Sequence, residues 1–266
     1  MKIILLLSHI LFFQTAYATI NICSFTFNSS DEKEAIFKGL EPYGAKLIEF
    51  VNKDDKDPTW FTRACKSNIK CDISIFSGHF GGVFFGEGTS VTLSLDELIK
   101  AKNCDILDNT GAVYLMGCNT LASKARDHRN VSDYIRVLLN DGFSLPLAQK
   151  VAASRYMDYG MSIENYMTDI FANSKQIIGF ESTGPLGKYA GPMIEKAINR
   201  SSQEQLLEYG VDLYELKSAF KRTSLKIVSP SKNDTAKLKE KALIAIPIIY
   251  SRTLPKPPLF LLFTYS

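Results

Sequence analysis

Apolar residues gather in short runs along this chain, and longer stretches with helical spacing separate the runs. The runs are Ile20 to Phe27 (INICSFTF), Ala45 to Val51 (AKLIEFV), Cys71 to Phe76 (CDISIF), Ala112 to Met116 (AVYLM) and Gln176 to Phe180 (QIIGF). Each has the length and composition of a strand, and the unbroken run AVYLM predicts a strand buried on both faces. Between them the spacing predicts helices over 32–40, 95–102, 131–139, 162–171 and 189–199, with another from Ser144 and Pro146 through Tyr156. Ser29 with Glu32 reads as a helix start and Ser94 with Glu97 as a capping box, while Pro42 and Asp141-Gly142 read as stops. Residues 52–70 look polar and irregular around Asp57-Pro58. Strands alternating with helices predict an α/β fold, a three-layer α-β-α domain with a mainly parallel sheet covered on both faces.

The two ends of the chain differ from this middle. Lys2 precedes an apolar run from Ile3 to Phe13, broken only by Ser8 and His9, and Ala16-Tyr17-Ala18 follows. That order predicts a secretory signal peptide over 1–18, cleaved after Ala18, with an apolar run too short to span a membrane comfortably. No Cys sits just after the small residues, so lipoprotein processing is not expected. Residues 19–202 then form the α/β domain, and 203–266 an extension packing on it. Within the extension, Glu204 to Arg222 reads as helical and Ser229 to Lys241 as a Lys-rich linker. An apolar tail follows, in which Pro247, Pro255, Pro257 and Pro258 exclude a transmembrane helix and favour an edge strand or packed tail. The expected location is periplasmic or secreted, with no membrane association once the leader is removed.

Composition narrows the function classes. The chain has 266 residues, 45% hydrophobic and 22% charged, which excludes a disordered, collagen-like or small disulfide-stapled protein. A formal charge of +3 gives no electrostatic case for a nucleic-acid partner. Leader removal would leave two histidines, His79 and His128, too few for a multi-His metal centre. Cys65, Cys71, Cys104 and His128 lack the paired spacing of a zinc site, so neither metal nor cofactor is expected. Gly184-Pro185-Leu186-Gly187-Lys188 fails the phosphate-loop spacing. Asn28, Asn130, Asn199 and Asn233 lie in glycosylation sequons, which matter only in a eukaryotic secretory pathway. In an oxidising compartment the five cysteines need accounting, and Cys65 with Cys71, close in sequence, are the expected disulfide.

Candidate chemistry concentrates at two strand ends. His79 follows CDISIF within Ser77-Gly78-His79-Phe80-Gly81-Gly82, and Cys118 follows AVYLM within Gly117-Cys118-Asn119-Thr120. Loops beyond the carboxyl ends of parallel strands build ligand sites. Neighbouring strands lie about 4.8 Å apart, so residues leaving two of them can meet. A thiol is mostly protonated near neutral pH and its thiolate is the nucleophile, so an adjacent imidazole can take the proton and later return it. Gly78, Gly81, Gly82 and Gly117 permit tight turns and close approach of a substrate to the backbone. Amides at Phe80 and Cys118 can stabilise an oxyanion. The plainer alternative is that the Cys packs and the His is structural. Asn119, Asp127 and Glu181 are candidate substrate-pocket residues, Glu181 as an acid that would select a basic side chain. For Asp127, within Arg126-Asp127-His128-Arg129, the alternative is a solvated charged turn before the helix at Asn130.

An apolar strand ending in Ser77-Gly78-His79, then another ending in Gly117-Cys118, resembles the caspase-fold cysteine peptidases of clan CD. That group includes caspases, legumains, gingipains and bacterial CHAT-domain proteins. The blocks SGHFGGVFFGE and YLMGCNTLA also resemble those of exported bacterial members of unassigned function. The resemblance covers roughly Ile20 to Arg200 and implies a His after the third strand and a Cys after the fourth. The two are 39 residues apart here, comparable with the ~50 of caspases. It further implies a caspase-like sheet and a cysteine endopeptidase acting on a peptide or protein substrate, with His79 and Cys118 as the dyad. Two departures stand out: Phe80 replaces the Gly that often follows the His, and Asn119-Thr120 replace the caspase-type Cys loop, so aspartate specificity does not carry over. The same fold could instead serve an interaction protein that has lost catalysis, or an amidase or transpeptidase using the same dyad.

Overall fold

Six strands form one central sheet in the computed structural model, which describes residues 19–230 apart from 52–56, 58, 81–83, 87–90, 109, 124–129, 141 and 157–161. The predicted leader and the Pro-rich tail lie outside the described residues, as does most of the Lys-rich stretch. In chain order the strands are β1 (Asn21–Thr26), β2 (Lys46–Glu49), β3 (Ile73–Ser77), β4 (Phe84–Phe85), β5 (Leu93–Ser94), β6 (Ala112–Met116), β7 (Gln176–Phe180) and β8 (Leu225–Val228). β4 and β5 form a small antiparallel pair of their own. The central sheet runs β2-β1-β3-β6-β7-β8, parallel throughout except for the antiparallel edge strand β8. The segment after residue 202 supplies the edge strand β8 of this sheet.

Side chains alternate along each strand, so two separate hydrophobic clusters result. Cys23 and Phe25 of β1, Phe76 of β3, Val113 and Leu115 of β6 and Ile177 of β7 fall in one cluster. They share it with residues of α2 (Trp60–Cys65), α3 (Leu95–Lys100) and α6 (Ile163–Ile170). Ile22, Ile73, Ile75, Tyr114, Ile178 and Phe180 fall in the other, with residues of α1 (Asp31–Leu40), α7 (Gly187–Ile198), α8 (Gln203–Tyr209) and α9 (Leu213–Ala219). Phe25 stacks on Phe76 with ring centroids 4.4 Å apart. Each such fully buried side chain stabilises the fold by about 1.5–3 kcal/mol relative to exposure. A third, smaller cluster belongs to α4 (Val131–Asn140) and α5 (Leu145–Tyr156), which pack against each other.

Local signals account for several boundaries. At α3 both halves of the capping box form: the Ser94 hydroxyl accepts from the Glu97 N–H at 3.2 Å, and the Glu97 carboxylate accepts from the Ser94 N–H at 2.8 Å. The stretch 204–222, expected as one helix, divides in two. Gly210 closes α8 with φ of +79°, and the Asp212 carboxylate opens α9 by accepting from the N–H groups of Tyr214 and Glu215. Residues 52–70, read as irregular, contain the short helix α2. Among the described residues no helix is long and apolar enough to cross a membrane.

Candidate active site

The last paired residues of β3 and β6 are Ser77 and Met116. His79 and Cys118 each lie two residues further on, so they leave adjacent parallel strands at the same level. The Gly78 N–H donates to the Met116 carbonyl at 3.3 Å and carries the pairing one step past the strands. Gly78 has φ of +139°, and a Cβ there would lie 2.5 Å from Asn28 Oδ1. Glycine is needed on both counts. Asn28 in turn accepts from the His79 N–H at 3.1 Å, and the His79 carbonyl accepts from the Gly86 N–H at 2.9 Å. The backbone of His79 is therefore held from two sides. Its side chain is half-buried with Nε2 shielded from solvent, and its ring meets Phe143 edge-on, centroids 5.6 Å apart. Phe80, only 2% exposed, turns into the core against Phe85 at 4.6 Å.

The Cys118 loop is anchored to β7. Its Asn119 has φ of +62°, and the Asn119 N–H donates to the Ser182 carbonyl at 2.7 Å. The Thr120 hydroxyl donates to the carbonyls of Leu115 and Gly117 and accepts from the Phe180 N–H at 3.1 Å. Gly179 makes room for that hydroxyl, since a Cβ there would lie 2.6 Å from Thr120 Oγ1. Gly117 packs on the His79 loop: a Cβ would meet both the Gly78 carbonyl oxygen and Phe80 Cβ at 2.8 Å. Cys118 itself is half-buried, and its Sγ accepts from the Gly184 N–H at 3.4 Å. The loop carrying Gly184 is drawn in by Gly187 at the start of α7, which lies so close to Ser29 that any Cβ would overlap its hydroxyl.

Beneath the end of β3 lies a buried carboxyl. Glu32 is 2% exposed and accepts from the hydroxyls of Ser77 at 2.8 Å and Ser29 at 2.9 Å. Burial pushes its pKa above the ordinary carboxylate value, against the opposing pull of its hydrogen bonds. Ser29 and Glu32, read as a helix start, do not cap α1. Ser30 is the residue preceding α1, no side chain caps the helix, and Glu32 turns toward Ser77 instead.

Compared with known proteins, the chain matches no family model, no curated protein and no solved structure. Its chemistry must be read from its own geometry.

One expectation is overturned. Cys65 and Cys71 do not pair with each other; the disulfides are Cys23–Cys71 and Cys65–Cys104, with Cα separations of 5.6 and 5.3 Å. Nearness in sequence was a poor guide because Cys71 enters β3 alongside β1, where Cys23 sits, whereas Cys65 ends α2 against the turn after α3. Of the five cysteines, Cys118 alone stays outside a disulfide. Two disulfides are compatible with an oxidising compartment.

Other predicted residues fare differently. Glu181, just after β7, lies 3.8 Å from Lys226 of β8, a lysine that donates to Glu164 at 2.8 Å. Asn119 is 8% exposed, and its N–H ties the Cys118 loop to Ser182. Gly81, Gly82 and Asp127 lie outside the described residues, as does His128. Among the described residues no group of three or more His, Cys, Asp or Glu is assembled as a metal site. Sequence reasoning missed Asn28, Glu32 and Gly184 as parts of this site. Asn28 showed only a sequon, Glu32 only a helix start, and Gly184 only a failed phosphate loop. Their contacts join residues 45 to 66 positions apart, for which a single sequence carries no local signal.

Proposed function

We propose that this chain is an exported cysteine peptidase with a three-layer, caspase-like α-β-α fold, in which Cys118 is the nucleophile and His79 the general acid and base. One observation carries the reading: the single cysteine left outside a disulfide is half-exposed at the end of β6, and the loop of the adjacent parallel strand β3 carries His79 at the same level. In the sheet, β3 and β6 are the third and fourth strands in chain order, the positions that the resemblance implies for His and Cys.

The chemistry follows from those two groups. The imidazole of His79 takes the thiol proton as Cys118 Sγ bonds to the substrate carbonyl carbon. Negative charge moves onto the carbonyl oxygen, where the amides of Cys118 and Phe80 are the donors assigned to it. Collapse breaks the C–N bond, and the departing amine takes the proton from the imidazolium. Water, deprotonated by the same imidazole, then attacks the thioester and releases Cys118 and a carboxylate product. An interaction protein that had lost catalysis would have Cys118 buried or locked in a disulfide, and Phe80 filling the groove. Cys118 is outside any disulfide and the Phe80 side chain lies in the core, which favours the enzyme.

The test is cleavage of a peptide library by the chain from residue 19 onward. Cys118→Ala should abolish cleavage while leaving the far-ultraviolet circular dichroism unchanged. Cleavage retained in that variant would overturn the assignment.

A further inference from the structure

We infer that Glu32 is kept neutral in the folded chain and gives its carboxyl proton to Ser77, a hydrogen bond that positions the strand end carrying His79. Glu32 is a positioning residue, and its ionisation loosens the loops that bear His79 and Cys118. The effect on catalysis rests on the peptidase reading above, whereas the protonation of Glu32 stands apart from it.

Ser77 has one hydroxyl proton and faces two acceptors. Its Oγ lies 3.0 Å from the Ser29 carbonyl oxygen and 2.8 Å from Glu32 Oε2. A serine hydroxyl donates once and can accept twice, and an ionised carboxyl only accepts. As a carboxylate Glu32 therefore takes the Ser77 proton and leaves the Ser29 carbonyl contact without one. A neutral carboxyl supplies the missing proton. Glu32 then donates to Ser77, Ser77 donates to the Ser29 carbonyl, and the Ser29 hydroxyl donates to Glu32 across 2.9 Å. Each of the three contacts now holds one proton. The Ser29 hydroxyl also lies 3.3 Å from Asp31 Oδ2, a longer contact that competes with its bond to Glu32.

The surroundings act in the same direction. Burial disfavours the ionised form, and the charge of Asp31, beside Glu32 on α1, opposes ionisation as well. Lys33, the next residue of α1, is paired with Glu49 of β2. The strands under α1, β1 and β3, contain no charged residue, and His79 is the titratable group just past the end of β3. α7 opens with Gly187 and Lys188, and the Lys188 ammonium lies over the Tyr189 ring, 5.0 Å from its centroid. The proton bears on both loops of the site. Ser77 is the last residue of β3, its carbonyl accepts from the Phe27 N–H at 2.9 Å, and the following Gly78 N–H reaches Met116. Ser29 packs on Gly187, just after the loop whose Gly184 N–H donates to Cys118 Sγ. Ionisation puts a charge between these two anchors and forces Ser77 to give up one of its partners.

Two measurements on the full chain test this. The infrared spectrum of the unaltered protein minus that of Glu32→Gln, taken at about pH 5.5, roughly one unit above the ordinary carboxyl value, should show the carbonyl band of one protonated carboxyl. A difference spectrum without that band would overturn the assignment. The second measurement needs no variant. In hydrogen exchange of the unaltered protein at rising pH, the Phe27 and Gly78 amides should lose about tenfold in protection relative to those of β7, the scale of one buried hydrogen-bonding group left short. A constant ratio across the titration would refute the loosening. Glu32→Gln can still donate to Ser77 and cannot ionise, so its ratio should stay level; an equal loss in that variant would assign the change to another group and equally refute it. Peptide cleavage followed in parallel keeps the two readings apart. The band and the exchange step without any cleavage remove the peptidase and leave Glu32 as assigned. With cleavage present, the rate of the unaltered protein relative to Glu32→Gln should fall across the same step, and a flat ratio would deny Glu32 its part in positioning the dyad.

Discussion

At the residue scale, Gly117 and Glu32 lie next to the strand ends that carry Cys118 and His79. Gly117 lets the Cys118 loop rest directly on the His79 loop, and a Cβ at 2.8 Å from both the Gly78 carbonyl oxygen and Phe80 Cβ has no room. Gly117→Ala should therefore lower stability by about 1–3 kcal/mol, the usual range for overpacking, and should slow alkylation of Cys118. Urea denaturation checks the first effect, and wild-type stability would mean that the two loops do not touch. Glu32 makes a different prediction. Burial raises its native pKa above the ordinary 4.5, so the folded chain keeps the proton to a higher pH than the unfolded chain does. Stability from this group is complete below the ordinary value and is lost as pH rises through the raised native one. Glu32→Gln cannot ionise and escapes that loss. Wild-type stability relative to the variant should fall as pH rises above the ordinary 4.5, and urea midpoints that run parallel as pH rises from there would contradict the assignment.

At the scale of elements, legibility followed burial. β3, β6 and β7 lie inside the sheet, so both of their faces are apolar and their runs stand out in the sequence. β8 is an edge strand whose four residues are all partly buried, and Leu-Lys-Ile-Val gives no comparable signal. α2 is six residues long in a polar stretch, and β4 and β5 have two residues each, too short for a period to show. The ends of β3 and β6 stood out as candidate site positions because glycine, histidine and cysteine follow their strand runs. The residues that hold those ends did not, because Asn28 and Glu32 act through contacts made only after β1, α1 and β3 assemble. Disulfide pairing escaped for the same reason. The Cys65–Cys104 bridge spans 39 residues and ties α2 to the turn after α3. Its chain-entropy contribution is about 4 kcal/mol. Replacing both cysteines by Ala should lower stability by about 2–4 kcal/mol, and a thermal transition unchanged by the double replacement would show that the bridge does not form.

At the scale of the whole molecule, the sheet divides the work. Alternating side chains feed two hydrophobic clusters, four of the five cysteines lock helices and strands around one of them, and the fifth is kept at a strand end. Loops from β1, β3, β6 and β7 converge there, joined by Asn28, Gly117, Ser182 and Gly184. The most direct test of the account is the rate at which iodoacetamide alkylates Cys118 in the folded protein with and without His79. We expect His79→Ala to slow alkylation on the order of 100-fold, the scale of a lost acid–base partner, with the circular dichroism and both disulfides unchanged. An equal rate in the two proteins would show that the imidazole does not serve the sulfur, and the dyad would be contradicted.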